Sequence, residues 1–397
     1  MRGTNHDDVR RRNLAGILRH VHRNGPTSRA ALTRITGLNR STISALVAEL
    51  VQLGVVTERQ PDATRQVGRP SPVVEVNARV AALAVHPEID AVTVGLVGLG
   101  GVVHWRIRCP VAHSPSAFEV VELAAAVMRD RSVELATEVD VVGVGVAVPG
   151  LVRTSAGVVR RAPHLGWVDE PFAERLAAAC GHRVVAANDA SLGALAERYF
   201  GAGQGLSDLI YLNGGSSGIG GGLIVGGRLV GGHAGYAGEF GHTRVSESDA
   251  ADSAGFRGTL EAEVTRSGLL DALGLAATGL ATTDADELER ALLASDAPQV
   301  RAEVIRQLDY LAVALAGAIN LLNPQLVVLG GFLAALRAAD PERLSAAVEA
   351  LTLPEALAEV KIESAQLGSD LLMIGAAELA FANVLADPQS FGRGLSA

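Results

Sequence analysis

Two periodicities divide this chain. Apolar residues at Leu14, Ile17, Leu18 and Val21 recur at helical spacing and predict a helix over 9–24, which Gly25-Pro26 ends. Ser28 can cap a short helix over 29–36 that stops at Gly37. Asn39 can cap another over 40–53, with Ile43, Leu46, Val47 and Leu50 facing inward. Residues 54–58 and 73–76 read as two short strands around a polar loop, 59–72. From Ala81 the pattern changes. Strands are predicted at 92–97, 101–106, 141–148, 184–187, 209–212, 222–225 and 326–329. Helices are predicted at 119–137, 170–179, 191–200, 299–322 and 374–386. This alternation implies α/β layers with a parallel or mixed sheet in each of two lobes. Residues 201–207 and 245–258 read as surface loops and 387–397 as a poorly ordered tail. No short repeat is visible.

Composition narrows the class. With 397 residues, 48% apolar content and 45 Gly, the chain fits two or three turn-rich α/β domains. The first dozen residues are polar and charged where a secretory leader would turn apolar, and the apolar run 311–322 is too short to span a bilayer. Two cysteines, Cys109 and Cys180, need no disulfide framework, so a cytoplasmic location without membrane contact is expected. Charge adds more. Residues 1–80 hold thirteen Arg against six acids, about +7, so the overall −9 leaves about −16 for the rest. A basic head on an acidic body suggests that one end binds a polyanion.

The pattern within the head identifies that polyanion. Two short helices joined by a turn containing Gly make a helix-turn-helix, and the start of the second helix then faces the major groove. Here that start presents Arg40, Ser41, Thr42 and Ser44, hydrogen-bonding side chains suited to base edges and phosphate. The loop between the strands carries Arg65 and Gly68-Arg69-Pro70, a basic wing shaped for a narrow minor groove. The competing reading is a three-helix module that binds protein, its arginines merely solvated.

The body resembles a known family. Gly143-Val144-Gly145-Val146-Ala147-Val148-Pro149-Gly150, Asn188-Asp189-Ala190 and the glycine-rich run 213–222 are similar to motifs of the ROK family (repressors, open reading frames and sugar kinases). So are Ala237-Gly238-Glu239-Phe240-Gly241-His242 and the segment 323–331, and together these cover residues 81–386 in order. The winged head is like that of the family's repressor branch. The resemblance implies a winged helix-turn-helix and linker over 1–80, followed by a two-lobed, actin-like (ribonuclease H-like) body with a sugar cleft. The first α/β lobe would span 81–190, completed by the helix 374–386, and the second 191–373, before a flexible tail 387–397. It also implies that Asn188, Asp189, Glu239, His242 and Glu261 bind sugar hydroxyls. In an active kinase Asp189 would be the base.

Two departures separate this chain from a kinase of that family. An early strand and turn should supply an Asp and paired glycines for metal and phosphate. Here His86 stands in place of the Asp, with Pro87 and Glu88 in the turn. Proline offers no amide and Glu88 would repel a nucleotide, so the body is read as catalytically inactive, without ATP. The family's histidine is normally followed by three zinc-binding cysteines. The aligned positions here are Asp252, Ala254 and Thr259, so no zinc is expected.

The resulting expectation is a repressor that binds an inverted-repeat operator as a homodimer or a tetramer and responds to a monosaccharide or sugar phosphate. Its rivals are a bifunctional sugar kinase and a DNA-binding regulator with a vestigial cleft. In footprinting, Arg69→Ala should weaken binding, whereas Arg40→Ala should relax sequence preference. Wild-type footprints from both variants would mean that the head binds something else.

Overall fold

The computed structural model describes residues 6–60, 71–215, 218–275 and 285–391. Its first three helices are α1 (His6–Asn24), α2 (Arg29–Thr36) and α3 (Arg40–Gln52). The caps predicted from sequence are formed. Ser28 accepts the Ala31 amide, Gly37 closes α2 at φ 70°, and Asn39 accepts the Thr42 amide. Strands Val56–Arg59 and Val73–Val76 pair antiparallel, and a short third strand, Thr27–Ser28, joins the latter to complete the wing sheet. Leu14, Ile17, Leu32, Ile43, Leu46 and Leu50 fill the small core between the helices.

The body holds two five-stranded sheets of the same topology. In the first, Val80–Pro87, Ala91–Gly98 and Val102–Pro110 form an antiparallel meander. Strands Asp140–Val148 and Val184–Asn188 add parallel to its inner edge. In the second, Leu209–Gly215, Gly218–Val225 and Arg228–Leu229 form the meander, and Leu326–Gly331 and Lys361–Ser364 add parallel. Between the sheets lie the helices Asp189–Phe200, termed the cleft helix, and Leu371–Ala386, termed the strut helix. The strut packs on the first sheet. A Cβ at Gly145 would overlap the Ala376 carbonyl, and a Cβ at Gly375 would overlap the Leu192 carbonyl of the cleft helix. One hydrophobic cluster runs from α1 through the strut and cleft helices into the second sheet.

Several elements differ from the sequence expectation. The helix predicted over 119–137 is two, Ala117–Asp130 and Ser132–Thr137, and beyond the break Glu134 accepts the Trp105 indole N–H at 2.9 Å. A small antiparallel sheet, Leu151–Arg153, Val158–Ala162 and Trp167–Glu170, has no counterpart in the reading from periodicity, because its strands are only three to five residues long. The stretch 201–207 is not simply a surface loop, since Gly201 and Gly203 are buried and Glu197 accepts the Ala202 amide at 2.8 Å. The start of the expected tail is packed. Pro388–Ser390 forms a 3-10 turn, Gln389 donates to Glu49 of α3 at 2.8 Å, and Phe391 is buried. Finally, Pro298–Leu322 and Gly368–Ala386 are long and apolar enough to cross a membrane, but more than half of each apolar window (56% and 61%) is buried in the fold.

The close approach at Gly145 yields a paired test. Gly145→Ala should cost roughly 3 kcal/mol through overpacking against the strut helix. Gly317→Ala meets nothing within 4 Å in its helix and should be neutral or stabilising by about 0.5–1 kcal/mol. Urea denaturation of both variants measures the contrast.

Candidate functional site

The surface expected to face DNA is built by the cap of α3. Asn39 Oδ1 accepts the Thr42 amide and the Ser41 hydroxyl, both at 2.8 Å, which sets the first turn of the helix. Arg40 and Ser41 are exposed, whereas Thr42 and Ser44 are half-buried. Ser44 is less free than its position in the sequence suggests. Its hydroxyl accepts Arg29 Nη1 at 2.8 Å, and Arg29 also pairs with Glu58 of the wing. Arg10, Arg29 and Arg59 are matched with Glu49, Glu58 and Glu75. Arg34 and Arg40, on either side of the turn, face no carboxylate among the described residues. Arg34 escaped the sequence reading; its place in the last turn of α2 was the available signal. Arg65 and Arg69 lie outside the described residues.

In the body, the sheet edges and the cleft helix bring four of the five expected sugar residues together. Asn188 is committed to structure. Its Oδ1 caps the cleft helix through the Ser191 amide at 2.9 Å, and its Nδ2 donates to the Gly150 carbonyl at 3.1 Å. Asp189, the next residue, accepts the Ala190 amide at 2.8 Å. Burial pushes its carboxyl above the usual carboxylate range, and the nearby His86 ring opposes that shift. Glu239 is likewise raised, first by burial and then by the charges of Asp189 and Glu261, with His242 opposing. Glu239 therefore feels the charges of Asp189, Glu261 and His242, and Asp189 that of His86. Glu261 is the most occupied of these three acids. Its oxygens accept the Ile219 amide at 3.0 Å and the Ser253 amide at 3.1 Å, pinning the tip of a hairpin to the following loop.

The loop after His242 is organised by Asp252. This side chain is fully buried, and its Oδ2 accepts His242 Nδ1 at 2.8 Å and the Thr259 hydroxyl at 2.9 Å. Its Oδ1 accepts the amides of Ala254 and Phe256, both at 2.9 Å. Burial alone would raise the carboxyl, but these bonds outweigh it and hold it below the usual range. The zinc implied by the resemblance does not fit this donor set. Of the four aligned positions only His242 and Asp252 offer metal ligands, and both are engaged with protein. Among the described residues no group of three His, Cys, Asp or Glu could hold a metal ion.

The turn at His86-Pro87-Glu88 also differs from expectation. Pro87 is the last residue of a strand, paired with Val92, and the turn proper is 88–90. Glu88 accepts the Thr93 hydroxyl at 2.7 Å and pairs with Arg108 at 3.1 Å, so its charge is compensated rather than left to repel an anion. His86 Nδ1 donates to the Ala147 carbonyl at 2.8 Å, which leaves the ring beside Asp189. His86 thus lines the cleft. Strand alternation with Ala82 and Ala84 was the signal that it shares their helix-covered face. The glycines of the run 213–222 serve packing as well: a Cβ at Gly220 or Gly222 would meet Ala190 of the cleft helix.

Comparison with known proteins gives the same two-part division. Residues 123–383 match the ROK family and residues 13–66 the MarR family. The xylose repressor of Caldicellulosiruptor bescii is 25% identical and aligns over 97% of this chain and 99% of its own length. A solved ROK family transcriptional regulator, a homologue of the E. coli MLC protein, superposes with a TM-score of 0.79 at 23% identity, covering 96% of this chain and 98% of that one. The ROK family glucokinase of Streptomyces griseus, solved with glucose and AMPPNP, has a TM-score of 0.64 at 24% identity, covering 76% of this chain and 99% of that one.

The raised carboxyl of Asp189 has a defined consequence for stability. A carboxyl whose folded pKa exceeds its unfolded value disfavours folding at neutral pH. Stability is regained as pH falls through the raised folded pKa, and is fully regained below the unfolded one. Asp189→Asn should therefore raise Tm at pH 7.5, on the order of a few degrees. The gain should vanish below the ordinary carboxylate pKa. Thermal unfolding across that pH range checks both the sign and the window.

Proposed function

Because the chain belongs to the ROK family, we propose that it is a sugar-responsive transcriptional repressor whose kinase-like body works as a sensor. One observation carries this reading. The cleft helix bears Asp189 at its start and Tyr199 and Phe200 at its end, and those two aromatics contact the DNA-reading head. Tyr199 lies under the Arg23 guanidinium of α1 at 3.6 Å, and Phe200 meets the His22 ring edge-on at 5.4 Å. A helix of 12 residues is about 18 Å long, so one rigid rod spans from the sugar cleft to the head.

Sugar hydroxyls donating to Asp189, Glu239 and His242 would relieve the mutual repulsion of the acids and favour lobe closure. Closure moves the cleft helix, which displaces α1 and changes the spacing of two heads on an inverted repeat. Operator affinity then falls, because sugar binds the two states differently. The relatives named xylose repressors, aligned over nearly the whole chain, support an aldose effector with D-xylose first in the panel. Loss of catalysis is part of the proposal. The strand end that would hold metal and phosphate is closed by the His86–Ala147 bond and the Glu88–Arg108 pair. So are the dimeric state, which two-fold operator reading requires, the absence of ATP as a cofactor, and a cytoplasmic location with access to DNA.

Genome-wide occupancy identifies the operator, and fluorescence anisotropy with D-xylose, D-glucose and N-acetylglucosamine then tests the response. One sugar should weaken operator binding at least tenfold, about 1.4 kcal/mol of coupling. Asp189→Ala should keep operator affinity while losing that response. ADP release from ATP plus each sugar should stay at background. Turnover that disappears in Asp189→Ala would establish the kinase instead. A wild-type protein indifferent to every sugar in both anisotropy and thermal shift would establish a ligand-independent regulator.

A further inference from the structure

Asp252 has no place in the sugar set inferred above, yet it is the most completely satisfied carboxylate in the region. Its two oxygens accept four bonds, from His242, Thr259 and the amides of Ala254 and Phe256. Such a carboxylate is acceptor-only, so the hydrogen between it and His242 must sit on Nδ1. The other ring nitrogen points the opposite way, toward the cleft acids. Its nearest charged neighbour is Glu239 Oε2 at 3.9 Å, beyond hydrogen-bond range, and no protein acceptor bonds it among the described residues. A proton on Nε2 would have no partner there, whereas a lone pair would meet an incoming hydroxyl hydrogen.

We propose that Asp252 is the positioning residue of the effector site. Its carboxylate takes over the organising role of a metal, locking His242 as the Nδ1–H tautomer with a bare Nε2 that accepts a hydroxyl of the ligand. The arrangement is that of a carboxylate which orients an imidazole by bonding the ring nitrogen that faces away from the ligand. A ligand placed between Nε2 and Glu239 must then donate from two neighbouring hydroxyls, one to each, because neither group offers a hydrogen. This selects polyols with a free vicinal diol over analogues methylated or deoxygenated at either position. The inference rests on the sugar-sensing reading for the ligand, but its tautomer and its metal independence can be read without any ligand.

The test uses full-length protein labelled with 15N-histidine, at pH 8, with His242→Gln to assign the ring. Long-range 1H–15N spectra should show His242 as Nδ1–H in the wild type. In Asp252→Asn the amide can still accept the two backbone amides through its oxygen, but its nitrogen now donates toward the ring. The tautomer should therefore invert to Nε2–H, with sugar affinity falling about tenfold or more. Wild-type protein dialysed against EDTA should keep its Tm and its tautomer, and added zinc should change neither. An Nε2–H or doubly protonated ring in the wild type overturns the proposal, as does stoichiometric zinc that survives dialysis. If Asp252→Asn fails to fold, the wild-type spectrum and zinc content still decide. If the tautomer and metal results hold while no sugar binds, the positioning role stands and the sugar reading alone fails.

Discussion

His22 is completely buried where the DNA-reading head meets the body, and both of its ring nitrogens are committed. Nδ1 accepts the Gly100 amide at 2.8 Å, so the proton lies on Nε2 and is donated to the buried Glu378 carboxylate at 2.7 Å. Each partner comes from a different part of the fold: α1, a turn of the first sheet, and the strut helix. Removing one member of so dry a pair leaves the others unsatisfied, at a cost of about 3–5 kcal/mol. The head is therefore fixed to the body by a polar contact with one allowed geometry, set inside an apolar cluster that would otherwise tolerate sliding. The rest of the coupling depends on it. The strut carries Glu378, packs through Gly145 and Gly375, and shares the cleft helix as its neighbour.

That arrangement gives the two ends of the cleft helix opposite characters. At its start the carboxyl of Asp189 is raised by burial, which the His86 ring and the Ala190 amide offset only in part, so this end is the destabilised one. At its end Tyr199 and Phe200 pack against the head, and Glu197 ties the following turn to the Gln366 and Leu367 amides at 2.8 and 3.1 Å. Binding energy gained at the soft end can be spent as motion only if the stiff end transmits it. The first turn of the first sheet is held as firmly: Glu88 is bound to Arg108 and His86 to Ala147, so that corner is a closed hairpin.

Much of this was legible in the residues. Ser28, Gly37 and Asn39 announced the helix-turn-helix because caps and left-handed turns demand particular side chains, and each makes the expected bond. The paired five-stranded sheets were legible as alternation but not as duplication, since topology repeats a pattern of burial without repeating residues. Other features lay beyond local pattern. The buried contact between His22 and Glu378 joins positions 356 residues apart, and nothing in either neighbourhood names the other. Asn188 and Glu261 matched a motif, yet most of their polar atoms hold the fold, which only the close approach of Gly150, Ser191, Ile219 and Ser253 reveals. The Ser44–Arg29 bond and the packed turn 388–390 were hidden for the same reason: their partners, Arg29 and Glu49, are set by tertiary packing.

The central claim is that occupancy of the cleft reaches the DNA head through the end of the cleft helix. Tyr199→Ala removes the surface beneath Arg23 and touches neither the cleft acids nor α3. The deciding measurement is operator affinity with and without saturating sugar, for this variant and for the wild type. The account predicts that each ligand alone binds the variant within about threefold of wild type, while the effect of sugar on operator binding falls from tenfold or more to near one. A variant that binds both ligands and keeps the full wild-type response would contradict it.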